Sequence, residues 1–442
     1  MQYSRRIAFI SEHASPLALL GGQDAGGQNV YVDALSQSLA RLGYAIDIFT
    51  RRTDPGAPEV VAYDSGIRII HLSAGPAEPL LKDELWPYMR EFRNNLLAFM
   101  LRTRVRYALI HGHFWMSGWV ATEIGSLLSV PVVQTFHALG ATKRRYQGDA
   151  DTSPSERIAI EREIVRKADR VVAHCPSERD ELLHDYHGDS RHITLIPGGV
   201  NIEMFSPMSQ VEARALIGLG GDGPVAVYVG RILPRKDIRN VVRALALVNE
   251  GRSGQPPARL LIVGGDTPEP DPTMTPELGE IQRLAASLGI AEQVRCVGMR
   301  QPSRLREYYC AGDVMVTTPW YEPFGLTPLE AMACGRPVIG SAVGGIPSTV
   351  VPERTGLLVP PRDPSALAGA LMQLFAHPER CQRMGTIARA HVERRFTWPL
   401  SAERHARLYS ALLSAQPRSR TTSHTPALAH WDIERDDESV GV

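Results

Sequence analysis

Neither sign of charge prevails in this 442-residue sequence, in which 48 Lys and Arg balance 48 Asp and Glu. A surface built to hold nucleic acid needs a basic excess. A broad nucleic-acid-binding face is therefore excluded, and no nucleic-acid partner is expected. Cysteine is scarce: the five residues Cys175, Cys296, Cys310, Cys334 and Cys381 are scattered, and none stands in a C-x-x-C pair. This excludes a disulfide framework and points to reduced thiols in a cytoplasmic protein. No run approaches 18 apolar residues, so nothing reads as a membrane-spanning helix. Residues 1–12, MQYSRRIAFISE, place two arginines before an apolar run too short for a signal-peptide core. That run reads as a first buried strand. Peripheral contact with a membrane surface stays open.

What is present is an ordinary globular composition, 43% hydrophobic and 22% charged, in a chain long enough for two domains. Short β-branched runs alternate with helical spacing. Arg6–Ser11 reads as a strand, Gly21–Gly27 as a glycine-rich loop, Asn29–Leu42 as a helix closed by Gly43, and Ala45–Thr50 as the next strand. This β-loop-α-β unit builds parallel sheets. Strands are expected again at Ile67–Leu72, Leu109–Gly112, Val132–Phe136, Arg170–Ala173 and Ile193–Ile196. After the loop Pro197–Pro207 a second series follows, at Val225–Val229, Arg259–Val263, Val294–Val297, Val314–Thr317 and Pro337–Gly340. The expectation is an α/β protein of two facing Rossmann-like domains, residues 1–200 and 201–396, with parallel sheets and a deep cleft between them. From Gln416 the chain is polar and aperiodic, and 416–442 reads as a disordered tail.

Several segments carry chemistry. The loop GGQDAGGQN joins a strand to a helix start, where glycines admit close backbone approach and free N–H groups face an anion. It suits a diphosphate, although a plain tight turn has the same composition. The formal G-x-G-x-x-G at Gly218–Gly223 follows a helical segment and precedes a strand, the reverse of a dinucleotide fingerprint, so it reads as a loop. In VGRILPRKD, Arg231 and Lys236 stand at a strand's carboxyl end, where two cations neutralise a diphosphate leaving group, if they are not simply solvated. In PWYEPFGLTPLEAMACGRPVIGSAVGG, Glu322 precedes a helix whose start, near Gly325–Thr327, points N–H groups at a ligand. Glu330 sets a carboxylate in an otherwise apolar helix, where ribose hydroxyls or the chain's own backbone serve as partners. His137 stands just past a strand end. His111 and His113 end another strand, but the sequence shows no third metal ligand beside them, and no metal is expected. Asp149 and Asp151 form a D-x-D that reads as a solvated turn.

Taken together and in order, GGQDAGGQNVYV, HGHFWMSG, TFHALGATK, VGRILPRK and the E-x7-E segment inside YEPFGLTPLEAMACGRPV resemble the large retaining glycosyltransferase family 4. That family includes sucrose synthases, sucrose-phosphate synthases and the mycothiol-pathway glycosyltransferase. The resemblance covers about residues 5–410. It implies the GT-B fold, with an acceptor domain, a nucleotide domain, and a last helix, 397–415, that crosses back onto the first. It further implies Glu322 at the donor sugar, Glu330 at the ribose, and Arg231, Lys236, Gly26 and Gly27 at the diphosphate. Phe324, Gly325, Leu326 and Thr327 join this donor site, and His137 lies near the transferred sugar. No cofactor beyond the nucleotide sugar is implied. The expected donor is UDP-linked, and front-face attack lets the departing phosphate take the acceptor proton. On the acceptor side, the KDELWPYMREF segment contributes Lys82. Lys143 and Arg157 match other basic positions and, with Lys82, suggest a phosphate pocket; three exposed cations are the plainer alternative. Gln28 matches the sucrose-type enzymes. Phe114 and Ala138 stand where the mycothiol enzyme has tyrosine and threonine, which puts inositol phosphate in doubt against another sugar phosphate or a saccharide. A sugar-nucleotide epimerase or a non-catalytic sugar-nucleotide sensor on the same fold is the competing expectation.

Overall fold

The computed structural model describes residues 5–17 and 26–415. The loop residues Gly21–Ala25 and the tail 416–442, read above as a ligand loop and a disordered tail, lie outside the described residues. Eight strands form a first sheet: β1 (Arg5–Ile10), β2 (Tyr44–Arg51), β3 (Val60–Asp64), β4 (Ile67–Leu72), β5 (Leu109–His113), β6 (Val132–Thr135), β7 (Arg170–Ala173) and β8 (Ile193–Leu195). Their order is β3-β4-β2-β1-β5-β6-β7-β8. The second sheet holds β9 (Val225–Val229), β10 (Arg259–Val263), β11 (Val294–Gly298), β12 (Val314–Thr317), β13 (Val338–Ser341) and β14 (Gly356–Val359), ordered β11-β10-β9-β12-β13-β14.

The inner strands read as apolar runs because helices cover both faces of each sheet. All eight residues of β2 are buried, as are Ile7–Ile10 of β1 and all of β9. The Gly218–Gly223 segment is a loop leading into β9. Two strands go beyond the sequence reading. β14 is a four-residue run, too short to be told from a buried turn. β3 pairs antiparallel with β4 at the edge of an otherwise parallel sheet. As a half-exposed edge strand it is specified by the strand beside it rather than by its own pattern.

Each sheet reverses its winding once, between β1 and β5 in the first and between β9 and β12 in the second. Crevices for ligands open at the carboxyl ends of such switch points. The chain passes between the two sheets twice, and the passages run side by side. Val200 N donates to the Phe396 carbonyl at 2.8 Å, and a Cβ on Gly199 would lie 2.5 Å from Trp398 N, so only glycine fits there. The helix Trp398–Ala415 then packs on the helix Gly27–Arg41 of the first sheet. Buried polar contacts lock it: His111 Nδ1 lies 2.7 Å from Tyr409 Oη, and Tyr31 Oη lies 3.1 Å from His405 Nε2. Tyr409→Phe strands a buried ring nitrogen and is expected to cost about 1–3 kcal/mol. A lowered urea midpoint checks this; an unchanged one means apolar packing alone holds the helix.

Candidate active site

Between the carboxyl ends of the two sheets lies a cleft of about 1800 Å³. Every site residue expected from the sequence lines it. On the second-sheet wall, β9 ends at Val229 and the chain turns through Gly230 into Arg231 and the 3-10 turn Pro234–Lys236. From the neighbouring β12 comes Glu322, whose carboxylate accepts a hydrogen bond from Lys236 Nζ. Burial pulls the Lys236 ammonium below its usual range, while the Glu322 charge opposes that shift. Burial raises the Glu322 carboxyl, but Lys236 and Arg235 outweigh it and the net direction is down. The two side chains form an ion pair in the cleft wall. The backbone of Glu322 is pinned as well: its carbonyl accepts from Gly345 N at 2.9 Å, and a Cβ on Gly344, at φ 53°, would lie 1.9 Å from that oxygen.

Three residues on, Gly325 adopts φ 91° and opens the helix Leu326–Ala333. Phe324, Leu326 and Thr327 thus sit at a helix N-terminus facing the cleft, where free N–H groups favour an anion. Glu330 lies within the helix. The sequence left backbone or ribose as its partner; in the folded chain its carboxylate accepts from Tyr309 Oη at 2.6 Å. Burial raises this carboxyl to about 7, against the pull of the Tyr309 bond.

The first-sheet wall is close. A Cβ on Gly26 would stand 4.0 Å from Arg231 Cδ, and one on Gly27 would stand 3.6 Å from Leu326 Cδ1. Gln28 Nε2 donates to Ser11 Oγ and to the His113 carbonyl, both at 3.3 Å. His137 has φ 59°, and its Nε2 lies 3.1 Å from His113 Nδ1. Behind it, His111 and His113 sit with ring centroids 4.2 Å apart, packed against Phe9 and close to Tyr31 and His405. Burial drives His111, His113 and His137 well below the normal histidine range, so His137 meets the cleft as a neutral imidazole.

On the acceptor side the cations are neither exposed nor unopposed. Lys143 Nζ lies 3.1 Å from Asp83 and 3.0 Å from Asp151. Arg157 is buried, bonding Glu161 at 2.8 Å, Ser153 at 3.1 Å and the Ala138 carbonyl at 2.7 Å, with its guanidinium 5.0 Å from the Phe114 ring centroid. The reading of three exposed cations does not hold for these two. Nor is the D-x-D a solvated turn: Asp149 is exposed, but the Asp151 carboxylate is buried against Lys143. Lys82, on the 3-10 turn Lys82–Glu84, lines the same part of the cleft.

Comparison with known proteins fits this geometry. Residues 25–204 match the family model described as Glycosyltransferase Family 4, and residues 210–391 match Glycosyl transferases group 1. The D-inositol 3-phosphate glycosyltransferase of Corynebacterium glutamicum is 35% identical over 95% of this chain and all of that protein. Its counterpart in Corynebacterium efficiens is 37% identical over 93% of this chain and 96% of that one. The chain belongs to the family 4 glycosyltransferases. Among solved structures, sucrose-phosphate synthase from Thermosynechococcus elongatus is 36% identical, with a TM-score of 0.84 over 93% of this chain and all of that one. Anabaena HepE in complex with UDP and glucose is 18% identical at a TM-score of 0.70 and shares the GT-B fold.

Two features of this glycosyltransferase escaped the sequence reading. Glu12 and His13 lie two and three residues past the end of β1, and Glu12 Oε1 lies 2.7 Å from His13 Nδ1, with the carboxylate buried and the imidazole lining the cleft. Their place just past a central strand was a usable signal. Tyr309, the partner of Glu330, gave none, because it reaches the site from a different helix, Pro302–Ala311.

The Glu330 carboxyl protonates more readily in the folded than in the unfolded chain. It therefore weakens the fold progressively as pH rises from the ordinary carboxylate range through about 7. Glu330→Gln removes that dependence. The melting temperature of the variant minus that of the parent is expected to rise from pH 5 to pH 8, by on the order of 1–2 °C. A difference that stays flat across this range would disprove the raised carboxyl.

Proposed function

We propose that this glycosyltransferase moves a hexosyl unit, with retention, from a UDP-linked sugar to a phosphorylated sugar. The observation that carries the reading is the facing of two cationic walls across one cleft: Arg231 and Lys236 on the second sheet, Lys82 and Lys143 on the first. The donor's diphosphate lies against Arg231 and Lys236, between the helix start at Leu326 and the helix start at Gly27. Glu330 takes the ribose, Glu322 lies at the sugar, and neutral His137 offers it a hydrogen bond. When the glycosidic bond breaks, its electron pair passes to the phosphate, and Lys236 and Arg231 stabilise the charge that develops there. The acceptor hydroxyl attacks the face the phosphate leaves, and its proton goes to the departing phosphate oxygen. Positioning and fixed charge do the work. Two side-chain cations supply the positive charge, and no metal or cofactor beyond the nucleotide sugar enters the reaction. Five unpaired cysteines support a reducing, cytoplasmic setting, and among the described residues no helix is long and apolar enough to cross a membrane.

Both the inositol-phosphate enzymes and sucrose-phosphate synthase carry a phosphorylated polyol or sugar in their names. Phe114 and Ala138 lack the hydroxyls of the mycothiol enzyme's pattern, which favours a sugar phosphate other than inositol phosphate. Lys236→Ala is expected to lower kcat by on the order of 10²–10³. Lys82→Ala should raise KM for the phosphorylated acceptor about tenfold and leave donor KM within about twofold, as loss of a charged hydrogen bond does. Thermal unfolding with UDP-, GDP- and ADP-sugars, followed by transfer assays with and without sugar phosphates, tests the whole reading. Transfer only to unphosphorylated saccharides overturns the acceptor; the absence of a shift with any donor overturns the donor site.

A further inference from the structure

The short helix Gly140–Gln147 touches both walls of the cleft. Its first turn is clamped to the first sheet. Gly140 N donates to the buried Glu161 carboxylate at 3.0 Å, Ala141 N donates to Tyr186 Oη at 2.9 Å, and Tyr186 and Arg157 both bond the same Glu161. Beyond that turn, Lys143, Tyr146 and Gln147 fall at i, i+3 and i+4, the spacing of one helix face, and all three line the cleft. Lys143 belongs to the acceptor wall. Gln147 and Tyr146 reach the other sheet: Gln147 Nε2 donates to Tyr321 Oη at 2.6 Å, and the Tyr146 and Tyr321 rings stack at 5.2 Å with 20° between their planes.

Tyr321 is buried and directly precedes Glu322. It also packs under the Arg235 guanidinium, 5.2 Å from the ring centroid. Arg235 is the neighbour of Lys236, and its carbonyl accepts from Trp320 N at 2.9 Å. The ring thus sits between the helix that carries Lys143 and the two segments that carry the Lys236–Glu322 pair. Lys143 and Gln147 stand one helical turn apart, so this helix joins the acceptor wall to the residue next to Glu322.

We propose that the Gln147–Tyr321 bridge transmits the seating of the acceptor to Glu322 and Lys236, so that transfer depends on it and hydrolysis of the donor without acceptor does not. Gln147 and Tyr321 are positioning residues, acting through the helix on one side and Glu322 on the other. The inference rests on the glycosyl-transfer reading above.

The test uses the full chain with UDP-glucose and a hexose phosphate. UDP release is followed with acceptor (transfer) and without it (hydrolysis), and UDP affinity is measured by calorimetry. Tyr321→Phe keeps the ring between Tyr146 and Arg235 but loses the hydroxyl. Gln147→Leu keeps the bulk but loses the amide. Each is expected to lower kcat for transfer about tenfold, the order of one lost buried hydrogen bond. Hydrolysis, UDP affinity and melting temperature should stay near the parent values. Gln147→Glu re-forms the bridge with Tyr321 as donor and should restore transfer to within about threefold. Transfer and hydrolysis falling together makes Tyr321 a mere wall of the donor site and overturns the inference, as does no change in either. A parent protein that transfers to neither sugar phosphates nor saccharides overturns the functional reading itself, which is seen before any variant is made.

Discussion

The double passage of the chain between its two sheets is the constraint on which the cleft depends. Two separate α/β units joined by one linker would hold their switch points at no fixed distance. Here the outgoing segment at Val200 and the returning one at Phe396 bond each other, and the final helix is buried against the first sheet through His111 and Tyr409. The helix start at Gly26 therefore faces Arg231, and Gly27 faces Leu326, within ordinary contact distance.

Within that frame the cleft is electrostatically closed on itself. Taking an unpaired charge out of water costs several kcal/mol, roughly enough to matter against the stability of a whole domain. Lys236 accordingly holds Glu322, Lys143 holds Asp83 and Asp151, and Arg157 holds Glu161. The buried histidines around Tyr31 solve the same problem by the opposite route: His111, His113 and His137 give up their protons. A phosphate entering either wall must compete with an internal carboxylate.

Arg157 serves two purposes at once. Its guanidinium reaches the cleft, yet it also bonds the Ala138 carbonyl and the Glu161 carboxylate that receives the start of the helix Gly140–Gln147. Arg157 is thus part of the scaffold that aims its neighbours.

Much of this was legible in the chain itself. Strands that are buried on both faces must be continuous apolar runs, so nearly all the inner strands and the two-sheet architecture followed from local pattern. Backbone that comes close to another group must be small or sit at a helix start, so Gly26, Gly27 and Gly325 were marked; Lys236 stood out by its place past a strand end, Glu322 by its place before a helix, and Glu330 by its charge in an apolar helix. Pairing across sequence distance left no such trace. β3 is a strand because β4 lies beside it; Asp151 is buried because Lys143 needs a partner; Tyr309 meets Glu330 from another helix, and Gln147 meets Tyr321 from the other sheet. Periodicity and turn chemistry are properties of neighbouring residues and can be read in order. Which charge neutralises which, and which ring touches which loop, depends on how close the fold brings distant segments, and only the tertiary structure decided that.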